Sequence, residues 1–187
     1  MEENLAPAEE KREKDPAAGL YDWVESLVTA VVACILIFLF FFRVVNVDGS
    51  SMVPTLHDSD KIVISRLAGN YRRGDIVVLT KTAFSEESIV KRVIATEGQT
   101  IDIDFDLGIV YVDGEALEEP YIADKTHREL DFSGPATVPE GCVFCMGDNR
   151  NMSTDSRRSV IGMIDTRCIL GKVILRLWPL NKLGTVG

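Results

Sequence analysis

Ile109-Val-Tyr-Val-Asp-Gly-Glu-Ala-Leu117 decides how the chain is read. Asp-Gly tolerates positive φ at both central positions of a two-residue turn, and here it stands between two short apolar runs, so the segment predicts a tight antiparallel hairpin. Outward from it, runs rich in Val and Ile recur between turn signals: Lys61–Leu67, Asp75–Leu79, Ser88–Ile94, Thr100–Ile103, Val143–Met146 and Val173–Leu177. None sustains a helical period, and the turn signals succeed one another too closely for βαβ units. Residues 48–187 therefore read as a mostly β domain built on an antiparallel β-sheet. Ala123–Pro139 is polar, contains Gly134-Pro135, and reads as a long surface loop or small accessory excursion.

The N-terminal side differs in kind. Leu27–Phe42, LVTAVVACILIFLFFF, holds no charge, Gly or Pro, and Val24–Phe42 as a helix spans about 28 Å against roughly 30 Å of bilayer hydrocarbon. Residues 20–47 are expected to form a single N-terminal transmembrane helix. A core helix apolar on every side would find too little in this chain to bury it. A removable secretory signal would end in small residues rather than Phe40, Phe41, Phe42 and Arg43. Lys11, Arg12 and Lys14 precede the run and Arg43 alone comes closely after it, which predicts a single-pass protein of the cell membrane with a cytoplasmic N-terminus and an extracytoplasmic domain. Residues 1–19 have nothing apolar to fold around and are expected to be a disordered tail.

Composition agrees with one sizeable domain plus an appendage: 187 residues, 46% hydrophobic and 26% charged. A net charge of -9 and a pI near 4.8 argue against a nucleic-acid partner, which calls for a basic face. Of the four cysteines, Cys34 lies in the apolar run, while Cys142, Cys145 and Cys168 belong to the β domain. The Cys142–Cys145 spacing suits zinc on paper, but strand positions three apart face opposite sides, and no second pair or nearby His completes a tetrahedral site. No metal is expected, and a disulfide from Cys168 to one of the pair stays open.

Chemistry concentrates in three places. Val47-Asp48-Gly49-Ser50-Ser51-Met52-Val53-Pro54-Thr55-Leu56 sets serine among turn residues directly after the apolar run, within at most about 30 Å of Phe42 along the chain. A serine nucleophile needs a base. His57 is near in sequence but lies in a polar turn, and the other histidine is His127. Lys91 is the alternative, set in the apolar strand Ser88–Ile94, where burial favours the neutral amine. Lys61 and Lys81 border turns and read as solvated. A charge that guards a sheet edge would produce the same Lys91 pattern, so both readings stand. The third place, Met146–Arg157, is a dense polar run after a strand, readable either as a solvated turn with local Asp–Arg pairs or as part of a site.

Taken together, these stretches resemble the bacterial type I signal peptidases, membrane-anchored Ser-Lys endopeptidases. Four motifs match in family order: GSSMVPTL at Gly49–Leu56, RRGDIVVL at Arg72–Leu79, KRVIATEGQT at Lys91–Thr100 and GDNRNMSTDSR at Gly147–Arg157. The resemblance implies that Ser51 is the nucleophile, Lys91 the general base, and Ser153 a serine that hydrogen-bonds and orients the lysine. It implies supporting polar contacts from Asp148, Arg92, Asp155 and Arg157, and an oxyanion donor in the Ser51 backbone N–H. Some relatives add a serine hydroxyl two residues before the nucleophile; Gly49 stands there. Val47, Met52, Leu56, Ile89 and Val90 match apolar substrate-pocket positions.

The same resemblance implies cleavage of preprotein signal peptides after small residues (Ala-x-Ala) at the outer face of the membrane, with no cofactor. Preprotein signal peptides and membrane lipid are then the partners, and the oligomeric state is open. Two rival readings use the same residues: a self-cleaving regulator with a Ser-Lys dyad, which needs no anchor, and a silent binder of export substrates, against which intact Ser51, Lys91 and Ser153 argue.

Overall fold

The computed structural model describes residues 16–67, 69–80 and 88–186. It divides into two units, one ending at Phe40 and one running from Phe41. The described part of the first lies in a single helix, α1 (Pro16–Phe41), whose last residue opens the second unit. From Gly19 to Phe41 its mean hydropathy reaches 2.6 with none of that window buried, so it is long and apolar enough to cross a membrane. The expected boundaries shift at both ends. Pro16–Gly19, assigned to a disordered tail, are helical, with proline at the first helical position where its missing N–H is harmless. The expected helix also stops before residue 47: Phe42–Asn46 is strand β1. Its cross-strand hydrogen bonds to Lys61–Ser65 outweigh the continuity of apolar character. The expectation for residues 1–15, including the Lys11, Arg12 and Lys14 cluster, lies outside the described residues, as does Lys81.

The second unit is antiparallel β throughout. Its strands are β2 (Lys61–Ser65), β3 (Ile76–Leu79), β4 (Ile89–Thr96), β5 (Thr100–Asp104), β6 (Ile109–Val112), β7 (Glu115–Ala116), β8 (Ala136–Thr137), β9 (Cys142–Met146), β10 (Ile164–Asp165) and β11 (Ile169–Trp178). Seven of them form a sheet in the order β1-β2-β11-β3-β4-β9-β10, and four form a smaller sheet, β7-β6-β5-β8. The expected hairpin is β6–β7, paired Val112↔Glu115, with Asp113 at φ 54° and Gly114 at φ 81°. Ala123–Pro139 is mostly irregular, but Ala136–Thr137 adds a strand to the small sheet.

Both faces of the large sheet are covered, which is why β3 reads as an unbroken apolar run instead of alternating. Ile76 and Val78 pack with Ile62, Ile64, Val90 and Val173 against Val47, Met52 and Leu56 from the serine-bearing turn. Val77 and Leu79 pack on the other side with Val93, Val143, Cys145 and Ile164. The small sheet closes onto one end through Ile101, Ile103, Val110 and Val112 against Ile94, Phe144 and Met146. A bulge between Val93 and Ala95 shifts the β4–β9 register there. Cys142 and Cys145 pack into different clusters, on opposite faces of β9, and all four cysteines are free thiols. Among the described residues no cluster of three or more His, Cys, Asp or Glu side chains is arranged to hold a metal ion.

Candidate active site

Between β1 and β2 the chain makes a compact turn whose ends are tied by Val47 N–H to the Asp60 carbonyl at 2.8 Å and Ser59 N–H to the Val47 carbonyl at 2.9 Å. Within it, Leu56 N–H reaches the Met52 carbonyl, and Asp58 accepts the Gly49 N–H at 2.8 Å. Met52 and Leu56 point into the core, 1% and 0% exposed, while Ser51 is half-buried.

There its partner is Lys91. The Ser51 Oγ and Lys91 Nζ atoms stand 2.8 Å apart, and Nζ also donates to the Val90 carbonyl at 3.0 Å. Lys91 is 3% exposed and lies on an interior strand between β3 and β9, not on a sheet edge, which removes the edge-guard reading. Burial lowers its pKa from 10.5 to about 8, with the carboxylates of Asp155 and Asp148 holding part of the charge in place. His57 makes a different contact: its backbone N–H goes to Asp60, and its Nδ1 is buried with no partner. His127 Nδ1 meets the Phe105 carbonyl. Neither histidine serves Ser51.

The polar run after β9 wraps the pair from the other side. Asn149 donates its backbone N–H to the Ser51 carbonyl at 3.0 Å and its side-chain amide to the Ser50 carbonyl at 3.1 Å. Gly147 fits between this turn and Ser153; a Cβ there would collide with the Ser51 carbonyl and the Ser153 side chain. Three buried ion pairs fix the run. Arg92 grips Asp148 with Nε and Nη2, each at 2.8 Å, and donates Nη1 to the Gly74 carbonyl. Arg157 grips Asp155, which also accepts the Gly147 N–H, and donates to the carbonyls of Arg150 and Arg128. Arg150 grips Glu119 and reaches Thr126 and the Gly147 carbonyl. Each guanidinium is matched by one carboxylate, so among the described residues no buried arginine is left uncompensated. Burial alone would raise the Asp155 carboxyl, but Arg157, the Gly147 N–H and Ser153 together offset it and hold the group below its usual value.

All the polar residues expected by resemblance thus meet in one place, with one difference. Ser153 is fully buried beside Gly147, yet its hydroxyl makes no well-formed hydrogen bond and the expected bond to Lys91 is not present; it lies close enough to bear on the Asp155 charge. The apolar set divides. Val47, Met52, Leu56 and Val90 share one cluster, whereas Ile89 is half-buried in the cluster on the opposite face of β4. Sequence reasoning assigned no role to Thr55, Glu119, Tyr121 or Arg150. Arg150 stood inside a quoted motif, and Tyr121 was the one aromatic in the polar stretch Glu118–Arg128; both were visible as residue types without a visible partner.

A buried primary amine beside a serine hydroxyl, carried on an antiparallel β domain, suits the chemistry of a serine endopeptidase. Residues 20–178 match the family model described as signal peptidase, peptidase S26, and the chain belongs to that family. Signal peptidase I of Bacillus licheniformis is 34% identical over 187 residues, covering 93% of this chain and 97% of that protein. Signal peptidase I T of Bacillus subtilis (strain 168) is 35% identical, covering 93% of each. A probable signal peptidase I-1 of Synechocystis is 34% identical, covering 86% of this chain and 84% of that protein. A crystal structure of a signal peptidase I from Enterococcus faecalis V583 aligns with a TM-score of 0.47 at 27% identity, covering 56% of this chain and 97% of that one.

Proposed function

We propose that this chain is a membrane-anchored serine endopeptidase that removes signal peptides from exported preproteins, with Ser51 as nucleophile and Lys91 as general base. The observation that carries the reading is the 2.8 Å approach of a buried lysine amine to a serine hydroxyl. As the Ser51 oxygen attacks the scissile carbonyl, neutral Lys91 takes its proton and passes it to the leaving amine. The acyl-enzyme is then hydrolysed by a water that Lys91 deprotonates, which returns Ser51 to its starting state. The Ser51 N–H has no acceptor among the described residues and is the natural donor to the oxyanion; with Gly49 two residues earlier, no hydroxyl joins it.

A signal peptide's apolar segment occupies the bilayer and its cleavage site emerges at the surface; Ser51 follows the apolar span 19–41 by ten positions in the chain, which supports cleavage near that surface. The basic residues Lys11, Arg12 and Lys14 favour a cytoplasmic N-terminus, which sets the β domain outside. Protease added to the outside of spheroplasts should digest the β domain and spare an epitope at residue 1; the reverse pattern inverts the topology. Cleavage of a purified preprotein in detergent or lipid tests the chemistry. Ser51→Ala and Lys91→Met should be inactive and His57→Ala active; an inactive His57→Ala beside a working Lys91→Met would transfer the role of base to histidine.

A further inference from the structure

The Arg92 guanidinium is held in its plane by Asp148 and the Gly74 carbonyl, and its face is covered by the ring of Tyr121, with Cζ 4.0 Å from the ring centroid. Tyr121 belongs to none of the four motifs; it arrives on the irregular segment after β7. Its hydroxyl donates to Glu119 at 3.1 Å, the carboxylate that grips Arg150. Among the described residues Tyr121 is therefore the side chain that touches both the Arg92–Asp148 pair and the Glu119–Arg150 pair. Each pair leads to the serine. Asp148 also accepts the Thr55 hydroxyl from the serine-bearing turn, and its neighbour Asn149 holds the Ser50 and Ser51 carbonyls. Arg150 holds the Gly147 carbonyl, beside the point where that turn passes closest.

We infer that Tyr121 is a positioning residue for the Ser51–Lys91 pair, acting through its ring face on Arg92. The guanidinium sits next to Lys91 on β4, so the plane in which Arg92 is held also sets where Asp148 and the serine-bearing turn come to rest. A desolvated cation over an aromatic face contributes more than an exposed one, which corresponds to about a 5- to 30-fold effect on a step that depends on it. Because the ring contacts neither serine nor lysine, its loss falls on kcat and leaves KM in place.

The inference rests on Ser51 and Lys91 being the reacting pair, so the full-length protein in detergent is assayed on a preprotein beside Ser51→Ala, whose activity, if retained, overturns that pairing and this role together. Tyr121→Phe, which keeps the ring, should stay within about threefold of the parent kcat; Tyr121→Leu should fall about 5- to 30-fold at unchanged KM, assayed well below both unfolding midpoints. Equal kcat for Phe and Leu, or a loss confined to KM, overturns the role. Should the Leu variant not fold, phenylalanines of rising fluorine content at position 121 drain the ring face at nearly constant volume. A kcat that falls step by step with fluorination upholds the role, and a flat series overturns it.

Discussion

The proton on Lys91 bears on two pH dependences, activity and stability, and both should rise as it is lost. As the proposed general base, Lys91 acts as the free amine, so the rate should rise with pH through a limb near pH 8, where burial has brought its pKa. A limb near 6.5 would point to histidine instead. Stability runs on the same group. Its folded pKa, about 8, lies below the ordinary 10.5, so between those values the unfolded chain binds a proton that the folded chain has released, and folding gains as pH rises through that window. Below pH 8 the buried cation costs about 3 kcal/mol. Lys91→Met removes that cost, and its unfolding midpoint should exceed the parent's at pH 6.5 by more than at pH 10.5. Gly147→Ala should act on geometry: pushing the Ser51 carbonyl aside by a fraction of an ångström lowers kcat on the order of 100-fold, read in the same preprotein assay.

The strands show why part of the design was readable and part was not. The Asp113–Gly114 hairpin was legible because its information is local: two residues that accept positive φ, between paired runs. β1 was not, since Phe-Arg-Val-Val-Asn continues the apolar run and only its partner β2 reveals it as a strand. Ser51 and Lys91 were legible as motif residues, but nothing along the chain states that Glu119 and Arg150 meet across 31 positions. That pair yields a prediction of its own. Glu119→Ala leaves Arg150 buried and unmatched, which should destabilise the β domain by about 3–5 kcal/mol in chemical denaturation, while Glu119→Ala combined with Arg150→Met should recover much of it.

Across the whole molecule, charge and hydropathy are segregated. The net charge of -9 coexists with a positive mean hydropathy because α1 holds most of the apolar excess on a fully exposed surface. The intact chain should therefore partition into the detergent-rich phase on cloud-point separation; recovery in the aqueous phase would mean that α1 is covered in solution.

Consecutive residues of β4 carry the two cations that matter, and the pleat turns them to opposite sides. A slip of one position would deliver Arg92 to Ser51, and a guanidinium surrenders no proton at any pH a protein survives. The strand thus has one productive reading frame. The bulge between Val93 and Ala95 acts as a frame mark, since a shifted β4 would have to carry that irregularity along β9 before it could pair again. Sheet register, usually a matter of which face is greasy, would on the proposed pairing of Ser51 with Lys91 separate a peptidase from an inert fold of the same composition.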